Sequence, residues 1–301
     1  MKSILRLNRR TYNEQKAWWG FIYVLPWLLG FIFFFLIPFI SSLRYSLSKV
    51  EANSDGLIIH FTGFKNYMDA LTVNTEFNRS LADSIMNMVT NVPLIVIFSL
   101  FIAVLLNQNF VGRPFARAIF FLPVILASGV ILNLESTSLI QAVNDQNSGA
   151  GAIRGLGAFE LERLMLDAGL NESIVDYLTS AVSRIYSVVS QSGVQILIFL
   201  AGIQTISPQL YEASKMEGAT GYEAFWKITF PMVSPLILVN VIYTIIDSFS
   251  NNSMTELIRE TGFTQFDFGL SSAMAWIYFL AVTLILVISS YLISKKVFYY
   301  D

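Results

Sequence analysis

Long runs of apolar residues without charges are the feature that most restricts what this chain can fold into. The first run extends from Trp18 to about Leu43, and similar runs recur towards the end of the sequence. About 20 consecutive apolar residues are enough for a helix to cross a bilayer. The composition agrees, because 54% of the residues are hydrophobic and only 13% are charged, against about 45–50% and about 25% in soluble domains. Since lipid offers backbone groups no hydrogen-bond partner, the sequence predicts an all-α membrane protein.

Six apolar runs can be delimited, each of roughly the length of one transmembrane helix. They cover approximately residues 18–43, 81–106, 118–134, 186–205, 233–249 and 270–293. The expected fold is therefore six transmembrane helices. A long polar segment, residues 136–182, separates the third run from the fourth, and its expected role is limited to covering the external mouth.

The distribution of Lys and Arg indicates how these helices are oriented. Basic residues are concentrated in residues 1–17, in the loop after the second run, and at Lys295 and Lys296 after the last run. Cytoplasmic loops carry an excess of Lys and Arg, so both termini are predicted to be cytoplasmic. The first run is too long for the apolar part of a cleaved signal peptide, and no A-x-A-like site follows it. The same orientation places the stretch between the fourth and fifth runs in the cytoplasm.

That stretch, residues 199–235, is polar although it lies between two apolar runs. Pro208 can open a helix, because its missing N–H would have no intrahelical partner anyway, and Ser207 can cap that helix. The sequence then predicts a short helix from Tyr211 to Ala219. A rigid polar helix held between two membrane spans is available to a partner outside the lipid.

The same stretch resembles a known motif. Glu212-Ala213-Ser214, three residues, Gly218, nine residues and then Ile228-Thr229-Phe230-Pro231 is similar to the EAA motif. That motif belongs to permease subunits of binding-protein-dependent ABC importers, and the step Glu217-Gly218-Ala219 is similar to their carbohydrate-type branch. Ser214 and Phe230 depart mildly from the pattern, at positions where the family usually has Ala and Leu.

The resemblance implies the type I ABC importer permease fold, with a cytoplasmic coupling helix that docks in a cleft of an ATPase subunit. It implies a cytoplasmic segment, residues 1–17, followed by a permease domain, residues 18–301, whose coupling segment is residues 206–231. The residues it assigns to ATPase coupling are Tyr211, Glu212, Ala213, Ser214, Glu217, Gly218, Ala219 and Pro231. Two shorter stretches, residues 61–67 and 112–117, are also similar to sugar permeases.

Partners and cofactors follow from the resemblance and from what the sequence lacks. A Walker-type phosphate loop is absent, as are Cys residues, and His60 is the only His. We therefore expect no cofactor in this chain and no enzymatic activity of its own, with ATP and Mg bound by partner subunits. The expected partners are a second homologous permease, two ATPase subunits, an extracellular or periplasmic solute-binding protein and the lipid bilayer, but no nucleic acid. The expected location is the bacterial cytoplasmic (plasma) membrane.

Polar residues at helical spacing within the apolar runs are candidates for the substrate pathway. On the fifth run Asn240, Tyr243, Asp247 and Asn251 fall at steps of three, four and four, so they share one helix face. Amides, a carboxylate and an aromatic ring suit a neutral polyhydroxylated ligand. Candidates on the fourth and second runs are Gln191, Gln195, Asn87 and Asn91, the last two in line with Asp83. The alternative for all of them is interhelical hydrogen bonding to the partner permease.

Other transport functions are weighed against a sugar importer. A secondary transporter would be expected to show internal repeats and broken helices, and no repeat between the two halves is evident. A membrane-embedded enzyme is disfavoured because no nucleophile or metal constellation appears. A glycerol-phosphate or polyol importer is the closest alternative, but an anionic substrate favours Lys or Arg in the cavity, where the fifth run offers Asp247.

Overall fold

The computed structural model describes residues 12–53, 56–108, 110–119, 171–250 and 252–297. Within these ranges the regular structure is helical apart from one two-stranded hairpin. The described residues up to Ala82 form one compact unit with Asn252–Ala281, and the remaining described residues form a second. The all-α fold class predicted from the apolar runs is confirmed.

The first apolar run forms one helical span that continues through two prolines. It consists of α1 (Tyr12–Phe31), a π-helical turn (Ile32–Leu36) and α2 (Ile37–Ser46). Proline lacks an N–H, and its ring clashes with the carbonyl four residues earlier. The wider π-helical turn lies directly before Pro38, where that clash would arise. The apolar window of this span is not buried within the chain, although Phe39 of α2 packs against Trp276 and Phe279.

The polar segment after the first span contains a β-hairpin that the sequence analysis did not predict. Strand β1 (Ser48–Asn53) pairs antiparallel with β2 (Gly56–Phe61), and Ser48 lies opposite Phe61. A short helix, α3 (Lys65–Met68), follows.

Two side chains of the motif at residues 61–67 fix this hairpin to the end of α2. The Asn66 amide donates from Nδ2 to the carbonyl oxygens of Ser46 and Ser48, at 3.0 and 2.9 Å. The Tyr67 hydroxyl lies 2.8 Å from Oγ of Ser46. Asn66 and Tyr67 therefore have a structural role on this segment.

The fourth apolar run is bent in the middle. After α4 (Thr75–Asn107), which covers the predicted second span, α5 (Glu172–Gln191) and α6 (Gly193–Thr205) meet at Ser192. The parts Tyr177–Gln191 and Gly193–Thr205 are inclined by 50° to one another. The single span predicted over residues 186–205 is therefore a broken helix, whose first part begins earlier than predicted.

Five α-helices follow in the rest of the described chain. They are α7 (Pro208–Met216), α8 (Gly221–Ala224), α9 (Phe230–Ser250), α10 (Ser253–Phe263) and α11 (Phe268–Ser294). Of these, α9 and α11 cover the predicted fifth and sixth spans. Among the described residues, four helices are long and apolar enough to cross a membrane, or five if the bent pair forms one span. The predicted third span, residues 118–134, lies outside the described residues beyond position 119. The chain is a multi-pass membrane protein, and the count of six stays a prediction.

Helix α10 lies in the polar segment between the fifth and sixth apolar runs, for which no helix was predicted. Asn252 caps it, because its Oδ1 accepts a hydrogen bond from the backbone N–H of Thr255 at 2.9 Å. Met254 and Leu257 are buried on one face, and Glu256 and Arg259 are exposed on the other and form an ion pair. The amphipathic pattern of α10 is therefore that of a surface helix packed on one side.

Gly269 lies so close to the backbone of Ser48 that even a methyl side chain should destabilise the fold. A Cβ at Gly269 would run into the carbonyl oxygen of Ser48 and lie 3.0 Å from Nδ2 of Asn66. We expect Gly269→Ala to lower the free energy of unfolding by about 1–3 kcal/mol, since backbone cannot move aside cheaply. Gly30→Ala is the matched control, because no atom lies within 4 Å of a Cβ there. Thermal unfolding of both variants in detergent checks this, and equal melting temperatures would contradict the close approach.

Candidate coupling segment and transport path

Helix α7 is a short helix whose side chains are largely exposed. Pro208 occupies its first turn and Ser207 the N-cap position, as predicted, but the Ser207 side chain makes no capping hydrogen bond. Its capping role was therefore predicted wrongly. None of the residues of α7 is buried. Glu212 and Ala213 are exposed, and Tyr211 and Ser214 are half-buried, so the motif presents its acidic residue outwards.

Gly218 ends α7 in a turn that requires a left-handed backbone conformation. Its φ is +82°, which glycine adopts at little cost. Two hydrogen bonds close the turn, from the Gly218 N–H to the Lys215 carbonyl at 3.0 Å and from the Ala219 N–H to the Ser214 carbonyl at 2.9 Å. These bonds form a Schellman motif. No atom lies within 4 Å of a Cβ at Gly218, so the turn, and not crowding within this chain, explains the glycine.

The chain resumes its helical course at Thr220 through a capping box. The Glu223 N–H donates to Oγ1 of Thr220 at 3.3 Å, and the Thr220 N–H donates to Oε2 of Glu223 at 2.9 Å. Glu223 precedes the apolar part of this helix. The hydrogen bonds from Thr220, with the charge of Lys227 as a smaller contribution, hold the pKa of the Glu223 carboxyl below its usual range. The turn between α7 and the next span is thus fixed at both ends.

One side-chain contact joins α7 to the base of α9. The Tyr211 hydroxyl lies 2.8 Å from Oγ1 of Thr229, and Thr229 is 5% exposed. Thr229 ends a π-helical turn (Phe225–Thr229) directly before α9. Pro231 follows two residues after this turn, the same arrangement as at Pro38 in the first span.

The predicted pathway residues on α9 and α6 do not all face an open surface. Asn240 and Gln195 are both fully buried. The Gln195 amide donates from Nε2 to Oγ1 of Thr244 at 2.9 Å, and Thr244 donates to the backbone carbonyl of Asn240 at 2.7 Å. The bond between Gln195 and Thr244 joins α6 to α9, and Asn240 is buried one turn before Thr244; these three residues are called the polar seam here. Within the described residues, both amide atoms of Asn240 and Oε1 of Gln195 have no hydrogen-bond partner.

Tyr243 and Asp247 lie at the edge of this seam. Both are partly exposed and one helical turn apart on α9, so a ligand or a partner subunit can reach them. Asn251, the fourth residue of the predicted face, lies outside the described residues. The assignment of these residues to a substrate pathway stays a prediction.

The polar candidates near the break of the fourth span are partly paired. The Asn91 Oδ1 of α4 accepts a hydrogen bond from Arg184 at 3.3 Å, and the amide of Gln191 donates to Ser187 at 2.9 Å. Asn87 and Gln191 are exposed on their helices. Asn91 and Arg184 thus link α4 to α5 within this chain, a contact that neither the pathway nor the partner-permease interpretation predicted.

Two residues of the stretch 112–117 have a structural role that the sequence analysis did not assign. Arg113 donates from Nε to the Leu106 carbonyl at 2.9 Å, and Arg117 donates to the same carbonyl at 3.4 Å. Leu106 lies in the last turn of α4, whose carbonyls have no intrahelical partner. This role could have been predicted from the sequence, because basic side chains soon after the end of a long apolar helix can donate hydrogen bonds to its last carbonyl groups.

The comparison with known families identifies the class of protein. Residues 74–299 of the 301 match the family described as "Binding-protein-dependent transport system inner membrane component". The chain belongs to this family, and the resemblance drawn from the EAA-like spacing is confirmed. As a member, it is a transport component and not itself an enzyme.

Curated relatives match over nearly the whole chain. The probable ABC transporter permease protein YesP of Bacillus subtilis is 28% identical over 94% of this chain and 92% of its own length. The probable starch degradation products transport system permease protein AmyD of Thermoanaerobacterium thermosulfurigenes is 26% identical over 92% and 94%. The multiple sugar-binding transport system permease protein MsmF of Streptococcus mutans is 25% identical over 96% and 98%.

Solved structures share the fold. A chain from a crystal structure of a bacterial alginate ABC transporter, in complex with an alginate pentasaccharide-bound periplasmic protein, aligns with a TM-score of 0.61. The alignment covers 93% of this chain and 95% of that chain, at 16% sequence identity. The architecture is therefore that of an ABC importer permease.

Proposed function

We propose that the chain is the membrane-spanning permease subunit of an ATP-driven importer that translocates a sugar or oligosaccharide delivered by an extracellular binding protein. The match of residues 74–299 to inner membrane components of binding-protein-dependent systems carries the transport role. The names of two relatives, for starch degradation products and for multiple sugars, support the substrate class.

In this proposal α7 is the coupling helix of the segment 206–231. Its outward-facing Glu212 makes a charge-assisted contact to an ATPase subunit, and Glu217, Ala213 and Ala219 belong to the same docking surface. The Schellman turn at Gly218 and the capping box at Thr220 make the return to α9 stiff. Closure of the ATPase pair on ATP then moves α7 and the base of α9 together.

The complete assembly pairs this chain with a second, similar permease, two ATPase subunits and the solute-binding protein. The permease domain is residues 18–301, with six spans, and residues 1–17 are cytoplasmic. ATP and Mg are bound by the ATPase subunits. Support comes from the family match and from the likeness in fold to a transporter solved with its periplasmic protein.

A glycerol-phosphate or polyol substrate is the second candidate. An anionic ligand would favour cationic side chains in the path, whereas α9 offers Tyr243 and the carboxyl group of Asp247 at its partly exposed edge. The hydroxyl groups of a neutral sugar can donate hydrogen bonds to a carboxylate, and the sugar ring can stack on an aromatic side chain without charge repulsion. The chemistry of α9 therefore favours a neutral glycan.

The proposed topology predicts which positions react with a probe that cannot cross the membrane. The chain has no Cys, so a single introduced cysteine is labelled without background. We expect Gln265→Cys, beyond α10, to react with an impermeant maleimide in intact cells. Met216→Cys, in α7, should react only after the membrane is dissolved in detergent. Labelling of both in intact cells would contradict the placement of α7 in the cytoplasm.

Purification of the assembly tests the function directly. A tagged chain should bring down an ATPase and a second permease, and the ATP hydrolysis of that complex should rise when binding protein and a malto-oligosaccharide are added together. Stimulation by glycerol phosphate and not by any neutral glycan would favour the second candidate. Isolation of the tagged chain without an ATPase partner would contradict the importer proposal.

A further inference from the structure

Helix α7 has few ways to transmit a displacement to the membrane spans. Its residues are exposed or half-buried, so little packing joins it to the rest of the chain. Before it, Ile206 and Ser207 are extended, and after it Gly218 to Thr220 form a turn. Within the described residues, Tyr211 is the member of α7 whose side chain makes a hydrogen bond to another element.

The other end of that hydrogen bond is placed where it can act on α9. Thr229 is almost fully buried and ends the π-helical turn from which α9 continues without a break. A hydrogen bond of 2.8 Å in a partly buried site competes less with water than one on the surface. Tyr211 therefore holds α7 at a fixed distance from the residue directly before α9, the helix that carries Tyr243 and Asp247.

We infer that the hydrogen bond between Tyr211 and Thr229 transmits the displacement of α7 to α9, so that Thr229 is a positioning residue for ATP-driven transport. The inference rests on the proposed function and adds a residue-level path within this chain. Without the bond, α7 still docks, but part of its movement is taken up by the extended link at Ile206 and Ser207 instead of reaching α9. Transport then loses efficiency per ATP hydrolysed, while the assembly of the complex is retained.

The chain offers a matched pair of substitutions at Thr229. Thr229→Val keeps the shape of the side chain and removes its hydroxyl group, whereas Thr229→Ser keeps the hydroxyl group and removes a methyl group. Tyr211→Phe removes the same hydrogen bond from the other side. Because Tyr211→Phe and Thr229→Val remove the same bond, the double variant Tyr211→Phe/Thr229→Val should be no worse than either single variant.

The experiment measures labelled malto-oligosaccharide uptake and ATP hydrolysis in the same proteoliposomes containing the whole complex and its binding protein. We expect Thr229→Val to lower the uptake per ATP hydrolysed about threefold to tenfold, the range for one hydrogen bond. Thr229→Ser should keep the ratio of the unsubstituted complex. We expect complexes with Thr229→Val and with Thr229→Ser to have the same melting temperature. If the role of Thr229 were purely structural, the two melting temperatures would differ.

Each outcome decides the inference. An unchanged ratio for Thr229→Val, equal losses for Val and Ser, or additive losses in the double variant would overturn it. If the complex with Thr229→Val does not assemble, Tyr211→Phe tests the same bond. An unchanged uptake per ATP hydrolysed in Tyr211→Phe would then contradict the inference. Failure of the unsubstituted complex to couple glycan uptake to ATP would contradict the proposed function instead, so the two failures are distinguishable.

Discussion

Replacing Tyr243 or Asp247 with alanine should abolish glycan uptake while the complex still assembles and hydrolyses ATP. Both side chains are partly exposed on α9, next to the buried seam formed by Asn240, Gln195 and Thr244. In the proposed pathway Tyr243 stacks on the sugar ring and the Asp247 carboxylate accepts hydrogen bonds from its hydroxyl groups. Loss of such contacts leaves the ligand's polar groups unpaired in a confined site and costs about 1–3 kcal/mol each.

The control for this prediction lies on the same helix. Ile246 is 52% exposed and faces away from the seam, so Ile246→Ala should keep uptake near the unsubstituted rate. Uptake of labelled oligosaccharide is measured beside basal ATP hydrolysis for all three variants. If Tyr243→Ala and Asp247→Ala instead prevent assembly, this edge of α9 binds the partner permease, and the pathway assignment must move to another span.

Gly218→Val should nearly eliminate association with the ATPase and therefore transport. The φ of +82° at Gly218 lies where a β-branched residue is strongly disfavoured. Relaxing it to a negative φ breaks the two hydrogen bonds that end α7, which turns the helix away from its docking orientation. The expected cost of a non-glycine residue in this conformation is about 1–2 kcal/mol, more for a branched one.

Two further glycine variants make this prediction specific. Gly218→Asn should retain part of the association, because Asn adopts the left-handed conformation more readily than other residues. Gly221→Val is the matched control, since Gly221 has no positive φ and no atom within 4 Å of a Cβ. Co-purification of the ATPase with each variant provides the measurement, and normal co-purification with Gly218→Val would contradict the role of the turn.

Local signals predicted a short helix in the segment after the fourth span, but not its bounds. The helix was predicted from Tyr211 to Ala219, whereas α7 is Pro208–Met216, because Pro208 opens it and the left-handed Gly218 follows its end. Both depend on backbone restrictions of single residues, which a sequence carries directly. The apolar runs likewise gave the spans that lie within the described residues, because hydrophobic length needs no tertiary information.

Features that depend on a neighbouring element were not predictable. Asn240 shares a helix face with Tyr243 and Asp247, yet it is fully buried, whereas those two are partly exposed. Burial of this kind depends on how α9 packs against its neighbours, which the spacing of polar residues does not show. The break at Ser192 carries no proline, and its neighbour across the interface is Ser99 of α4, which lies 3.4 Å from the Ser192 carbonyl. The hairpin Ser48–Phe61 and helix α10 sit in polar segments, where hydrophobic runs give no signal.

ATP-driven uptake into proteoliposomes measures whether this chain is the permease of a sugar importer. The vesicles contain this chain with its partner permease and ATPase subunits, and the binding protein is supplied on the outside with a labelled malto-oligosaccharide or with labelled glycerol phosphate. We predict accumulation of the oligosaccharide that requires ATP on the inside and is lost with Tyr243→Ala. Accumulation without ATP, or no accumulation of any neutral glycan by the intact complex, would contradict the account.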